Sequence, residues 1–274
     1  MRNTDILVSK VLLLSTVLLM ALYLLRVRIK GRTYYERIER QGGSPLLAKS
    51  IMEMGYWAIQ PLSRLAIHLN ISANAISYTA VFLGALCGLL LTQGHFGIAA
   101  AVGLAGGAMD ALDGMVARAT GTMNYAGKVL DSALDRYVEF FLFAGLIIFY
   151  HPFPWVQAVV CAALLASFMV SYTTALSEIA EVRLPRGSMQ RTERLTYLLL
   201  GFTLTPLSHS NSPLPFPMMI TLAIIAVIGN FSAIARLRFI RRSIQEREER
   251  LISLTLAQVR SVRPSPRTPP RFGT

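Results

Sequence analysis

Seven apolar runs constrain this chain more than any other feature. They fall at Val11–Leu25, Ala75–Thr92, Gly97–Arg118, Val129–Tyr150, Trp155–Ser177, Leu195–Pro206 and Phe216–Ala235. Over 274 residues the chain is 53% hydrophobic and only 15% charged, with a mean hydropathy of +0.48. That much apolar surface points to lipid rather than a single aqueous core. Inside a bilayer a backbone amide finds no water, so each segment must satisfy its own hydrogen bonds. Runs of this length and spacing predict helices, and hence an all-α polytopic membrane protein.

The first run extends back through Ile6 if Lys10 snorkels to the interface. It ends in Arg26-Val27-Arg28-Ile29-Lys30 without a small-residue cleavage site, which predicts a retained anchor rather than a signal peptide. From Pro45 to Asn70, Leu46, Leu47, Ile51, Met54, Tyr56, Trp57, Ile59, Leu62, Leu65 and Ile67 recur at near-helical spacing among Lys49, Glu53 and Arg64. This pattern predicts an amphipathic helix in the membrane interface. Pro61 and the charges argue against a broken span. The run at Leu195–Pro206 is short unless its helix begins near Met189. The expected plan is a six-helix transmembrane bundle preceded by an interfacial amphipathic helix and an extra N-terminal transmembrane anchor. It divides into an anchor with its basic flank (1–32), a juxtamembrane amphipathic segment (33–74), a catalytic membrane domain (75–240) and a charged, partly disordered tail (241–274).

The net charge of +12 would suggest nucleic acid in a soluble protein, but no basic-aromatic module accompanies it. The basic residues instead alternate between loops. Gln93–Phe96, His151–Pro154 and Pro206–Pro217 carry no charged residue, whereas Arg118 and Lys128, then Arg183, Arg186, Arg191 and Arg194, then Arg236, Arg238, Arg241 and Arg242 mark the opposite side. That side is expected to be cytoplasmic, in a cell (inner) membrane. Cys87 and Cys161 lie inside apolar runs and read as packing residues. The segment Arg260–Thr274, rich in proline and arginine, predicts disorder.

Four aspartates stand at the cytoplasmic end of this plan: Asp110, Asp113, Asp131 and Asp135. A carboxylate near a bilayer is costly unless paired, hydrated or metal-bound. On helices, Asp110 and Asp113 share one face, as do Asp131 and Asp135. Two antiparallel helices joined by the loop Thr120–Ala126 can turn these faces toward each other. Four converging carboxylates repel unless cations neutralise them, and hard oxygen ligands suit Mg²⁺ or Mn²⁺. A pair of such ions is suited to holding a pyrophosphate during in-line displacement. Gly114 and Ala117 leave room for a ligand, Gly127 does so on the next helix, and Arg118 can fork a phosphate oxygen. A single DxxD more often marks an interface or a proton relay, and small residues more often mark helix packing.

The full pattern D-x2-D-G-x2-A-R-x8-G-x3-D-x3-D runs without a gap from Asp110 to Asp135. It resembles the signature of the CDP-alcohol phosphotransferase family of membrane phospholipid synthases. The resemblance implies two divalent ions on Asp110, Asp113, Asp131 and Asp135, and a CDP site at Asp113, Gly114, Ala117, Arg118 and Gly127. It also implies that Asp135 takes the proton of an acceptor hydroxyl, which attacks the β-phosphorus and releases CMP. Asn74 stands where it could reach the nucleotide, although a helix-cap role is the simpler expectation.

The segment Ser171–Glu178, followed by Arg191–Leu195, is similar to the phosphatidylinositol phosphate synthases of that family. Thr174 and Leu176 stand where those enzymes generally place basic residues. Acceptor contacts are therefore expected from Thr174, Glu178, Arg191 and Arg194, with Arg191 and Arg194 equally explicable as positive-inside charges. Inositol, inositol phosphate, glycerol phosphate and serine all stay open as acceptors. CDP-diacylglycerol is the expected donor, and a homodimer is compatible with the plan. Two rivals stay open: a CDP-choline or CDP-ethanolamine phosphotransferase acting on a lipid alcohol, and a cation-binding membrane transporter. The transporter would spread its carboxylates along a path, whereas these four cluster.

Overall fold

The computed structural model describes residues 2–32, 49–185, 189–208 and 214–262. Pro45, Leu46, Leu47, Arg186 and the tail beyond Val262 lie outside the described residues. Within them the chain is all-helical: α1 (Arg2–Lys30), α2 (Lys49–His68), α3 (Ala73–Thr92), α4 (Phe96–Ala119), α5 (Tyr125–Phe149), α6 (Pro154–Ile179), α7 (Arg191–Leu204), a 3₁₀ turn (Thr205–Leu207) and α8 (Phe216–Val262). By length and apolarity α1, α3, α4, α6 and α8 qualify as membrane crossings. Asp135, Arg136 and Glu139 break the apolar character of the continuous helix α5, and α7 has only 14 residues. Among the described residues, six helices follow α2, and four of them carry the composition of a span.

The helices approach closely where small residues meet. A Cβ on Gly88 of α3 would lie 2.3 Å from the Phe141 carbonyl oxygen, and one on Gly145 of α5 would lie 2.3 Å from the Gly88 oxygen. Without side chains at this crossing the two backbones touch, the usual way helices associate where lipid supplies no hydrophobic drive. On the other side of the bundle, Asn230 Nδ2 of α8 donates to the Ala162 carbonyl of α6 at 3.0 Å. The main apolar core, with Leu91, Phe96, Phe143, Leu146, Tyr150 and Met218, fills the bundle toward the ends of α4 and α5 opposite the aspartates. Cys87 is buried in it, whereas Cys161 is exposed, so only the first is a core-packing residue.

The N-terminal helix is more than a tether. Asp5 Oδ1 accepts hydrogen bonds from the amides of Gly97 and Ile98 at 2.9 and 3.1 Å, and Asp5 Oδ2 meets His95 Nδ1 at 2.9 Å. Asp5 thereby caps the start of α4 from another helix, where His95 makes no side-chain cap of its own. At the other end of α1, Tyr23 donates to Glu53 Oε2 of α2 at 2.7 Å, and Arg26 lies 5.7 Å from the Trp57 ring centroid. α2 runs unbroken through Pro61 and packs Ala66 beside Ile76, Leu112 and Val116. It therefore supports the half of α4 that carries the aspartates. The cap of α3 is Ser72, whose Oγ accepts from Ala75 at 3.3 Å; the expected capping role of Asn74 is corrected.

Candidate active site

Two turns of α4 and the first half of α5 build the site. Asn124 closes the short connection by accepting the Gly127 amide at 2.6 Å, which starts α5 directly after the turn. A Cβ on Gly127 would sit 3.1 Å from the Asn124 oxygen, so this glycine keeps the cap compact. The antiparallel return brings carboxylate oxygens of Asp110, Asp113 and Asp131 within 4.8 Å of one another. Asp113, 7% exposed, also receives the hydroxyl of Ser77 from α3 at 2.5 Å. Asp135 makes a different contact. It is 8% exposed, and its Oδ1 meets Arg191 Nη2 at 2.6 Å, with Arg136 Nη1 3.7 Å from its other oxygen. Arg191 Nη1 donates to both oxygens of Asp110, at 2.8 and 2.9 Å.

Three carboxylates at this spacing, one buried and two partly exposed, form a hard, anionic donor set that fits Mg²⁺ or Mn²⁺. Asp110, Asp113 and Asp131 would hold such an ion, which would offset their mutual repulsion. Arg118 is exposed one turn beyond Gly114, at the mouth of the same helix end.

The expected acceptor residues separate into distinct environments. Arg194 is 1% exposed, and its guanidinium binds Glu139 at 2.6 Å, Ser171 at 3.1 Å and the Met189 carbonyl at 2.7 Å. Glu178 is exposed and pairs with Lys128 at 2.8 Å. Thr174 Oγ1 accepts Arg236 Nη1 at 2.9 Å, and Arg236 lies within electrostatic range of Glu193 and Arg194. Leu176 supplies no charge.

Comparison with known proteins decides the family. The CDP-alcohol phosphatidyltransferase family model matches residues 70–234. The chain belongs to the CDP-alcohol phosphatidyltransferase family. It is therefore a membrane-integral transferase of phospholipid biosynthesis. The phosphatidylinositol phosphate synthase of Corynebacterium glutamicum is 30% identical over 188 residues, covering 65% of this chain and 82% of that protein. The archaetidylinositol phosphate synthase of Methanothermobacter thermautotrophicus is 27% identical, covering 64% and 86%. The crystal structure of Mycobacterium tuberculosis phosphatidylinositol phosphate synthase with CDP-DAG bound matches with a TM-score of 0.60 and 24% identity, covering 66% of this chain and 92% of that one. A structure of the same enzyme in complex with manganese and citrate matches at 0.60 and 23%, covering 66% and 88%. Both likenesses show the fold.

Three residues of this CDP-alcohol phosphatidyltransferase escape sequence reasoning. Ser77 lies 36 residues from Asp113, Glu139 lies 55 from Arg194, and Arg236 lies 62 from Thr174. A lone serine in an apolar run carries no signal. Glu139 carries one, since a charge deep in an apolar run calls for a partner. Arg236, first of the basic residues after the last run, is indistinguishable by sequence from a positive-inside charge.

Proposed function

We propose that this enzyme transfers a phosphatidyl group from CDP-diacylglycerol to the hydroxyl of a small polar alcohol that itself carries a phosphate, releasing CMP. The observation that carries this reading is the convergence of Asp110, Asp113 and Asp131, with Arg191 joining Asp110 to Asp135 beside them. When bound, two divalent ions would supply charge stabilisation for the pyrophosphate and for the in-line displacement. The chain's own residues do the rest. Gly114, Ala117 and Gly127 leave room for the CDP group, and Arg118 forks its phosphate oxygens. Asp135 accepts the proton of the acceptor hydroxyl on a carboxylate oxygen as the hydroxyl oxygen attacks the β-phosphorus and the bond to CMP breaks. Ser77 holds the Asp113 carboxylate in orientation from α3. By the distribution of basic residues, this end of the bundle faces the cytoplasm.

Arg191 and Arg236 support an anionic acceptor. Position 174 is an uncharged threonine, yet Arg236 brings a guanidinium to it from α8. A phosphate-bearing polyol fits this environment, in keeping with the inositol phosphate substrates that the relatives' names imply. Inositol, inositol phosphate, glycerol phosphate and serine offered in parallel with CDP-diacylglycerol test the assignment. Phosphorylated acceptors should release CMP at least about tenfold more efficiently, the scale of one charge-assisted hydrogen bond. Equal or better use of serine or free inositol would contradict it.

A further inference from the structure

Arg191 touches two of the four aspartates at once. Its Nη1 takes both oxygens of Asp110 and its Nη2 takes Oδ1 of Asp135. Asp110 is also a member of the trio that can hold an ion. A divalent ion binds carboxylate oxygen at about 2.0–2.2 Å and uses the same lone pairs that a guanidinium fork uses. A second ion at Asp110 and Asp135 and the bound form of Arg191 therefore exclude each other, by shared ligand atoms and by like charge.

The local architecture lets the side chain leave without the helix. Arg191 is the first residue of α7, with a side chain 24% exposed. The helix start itself is fixed by the Gln190–Glu193 capping box and by Arg194, buried against Glu139, Ser171 and the Met189 carbonyl. The anchor and the bridging charge are thus separate residues on one turn.

We propose that Arg191 is a resident cation of the metal-free site, and that a divalent ion arriving at Asp110 and Asp135 expels its guanidinium, making it available to an anionic group such as a phosphate monoester. This rests on the two-ion reading above. The exchange has three consequences. The acidic cluster is partly neutralised before metal arrives. In the loaded site Asp135 exchanges the guanidinium on Oδ1 for the ion, and Oδ2 is the oxygen that accepts the proton. Metal also precedes the anionic acceptor, because the cation that meets the acceptor is released by the metal.

Binding measurements on the full chain in detergent test this without turnover. Mn²⁺ is titrated by paramagnetic resonance into the wild type, Arg191→Gln and Arg191→Lys, with folding followed by circular dichroism. The glutamine variant should bind the weaker Mn²⁺ about tenfold or more tightly than the wild type, because a charge-assisted competitor is gone, and lysine should fall between. Inorganic phosphate should bind the wild type only when Mn²⁺ is present, and Arg191→Gln should lose that Mn²⁺-dependent binding. If glutamine does not fold, the lysine variant against the wild type carries the same comparison. Equal or weaker Mn²⁺ affinity in both variants overturns the competition. Phosphate binding that ignores Mn²⁺, or that survives in Arg191→Gln, overturns the release. Absence of Mn²⁺ binding in wild type and variants alike removes the two-ion reading together with this one, whereas two equally tight ions in all three proteins remove this one alone.

Discussion

At the scale of single residues, the site separates groups that do chemistry from groups that hold them. Asp135 belongs to the first kind in the mechanism proposed. Asp135→Asn keeps the shape and loses the base, so turnover should fall by about 100- to 10,000-fold while CDP-lipid binding changes little. Steady-state CMP release and a direct binding assay check the two halves, and near-native turnover would remove the assignment. Arg194 and Glu139 belong to the second kind. Their 2.6 Å pair is buried, so removing one partner strands a charge, whereas removing both does not. Glu139→Leu should destabilise by about 3–5 kcal/mol, and the double replacement with Arg194→Leu should recover most of that loss. Thermal denaturation of the four-member cycle measures it. The aspartates were legible because spacings of three and four residues project onto one helix face. Arg191 was legible as a cation, but its bridge to Asp110 depends on a contact 81 residues apart in sequence, beyond any local pattern.

At the scale of elements, apolar runs located the helices, and the exceptions follow from charge. α7 starts at Arg191, four residues before its apolar run, because a capping box and the buried Arg194 absorb the charges of its first turn. α8 runs for 47 residues, about 70 Å, well past a hydrocarbon core of about 30 Å. Its extension is strapped to the end of α6 by Arg247, which donates to the Ala180 and Glu181 carbonyls at 3.3 and 3.2 Å. The docking of α1 onto α4 had no signal, since Asp5 reads as an interfacial charge near the start of an anchor. Gly97 shows how close that docking is: a Cβ there would lie 2.2 Å from the Asp5 carbonyl oxygen. Asp5→Ala should lower stability by about 0.5–2 kcal/mol, the range for a lost helix cap, and leave CDP-lipid binding intact. A thermal shift assay with and without CDP-lipid reads both. An unchanged melting temperature would mean that α1 contributes no cap to α4.

At the scale of the whole molecule, the bundle packs its apolar core toward one end and gathers its carboxylates at the other, with α2 supporting the helix that carries Asp110 and Asp113. The packed end holds the geometry, and in the mechanism proposed the acidic end meets water, nucleotide and metal. In that mechanism, this arrangement makes activity depend on a divalent ion rather than on general acidity. Stripping metal with a chelator should abolish CMP release, and adding back Mg²⁺ or Mn²⁺ should restore it. The most direct measurement of the central claim follows CMP and lipid product together, using the purified full chain, CDP-diacylglycerol, Mn²⁺ and a phosphorylated polyol. The account predicts one CMP for each phospholipid formed, with no product when Mn²⁺ is withheld. A folded protein that binds Mn²⁺ yet releases no CMP with any acceptor would contradict it.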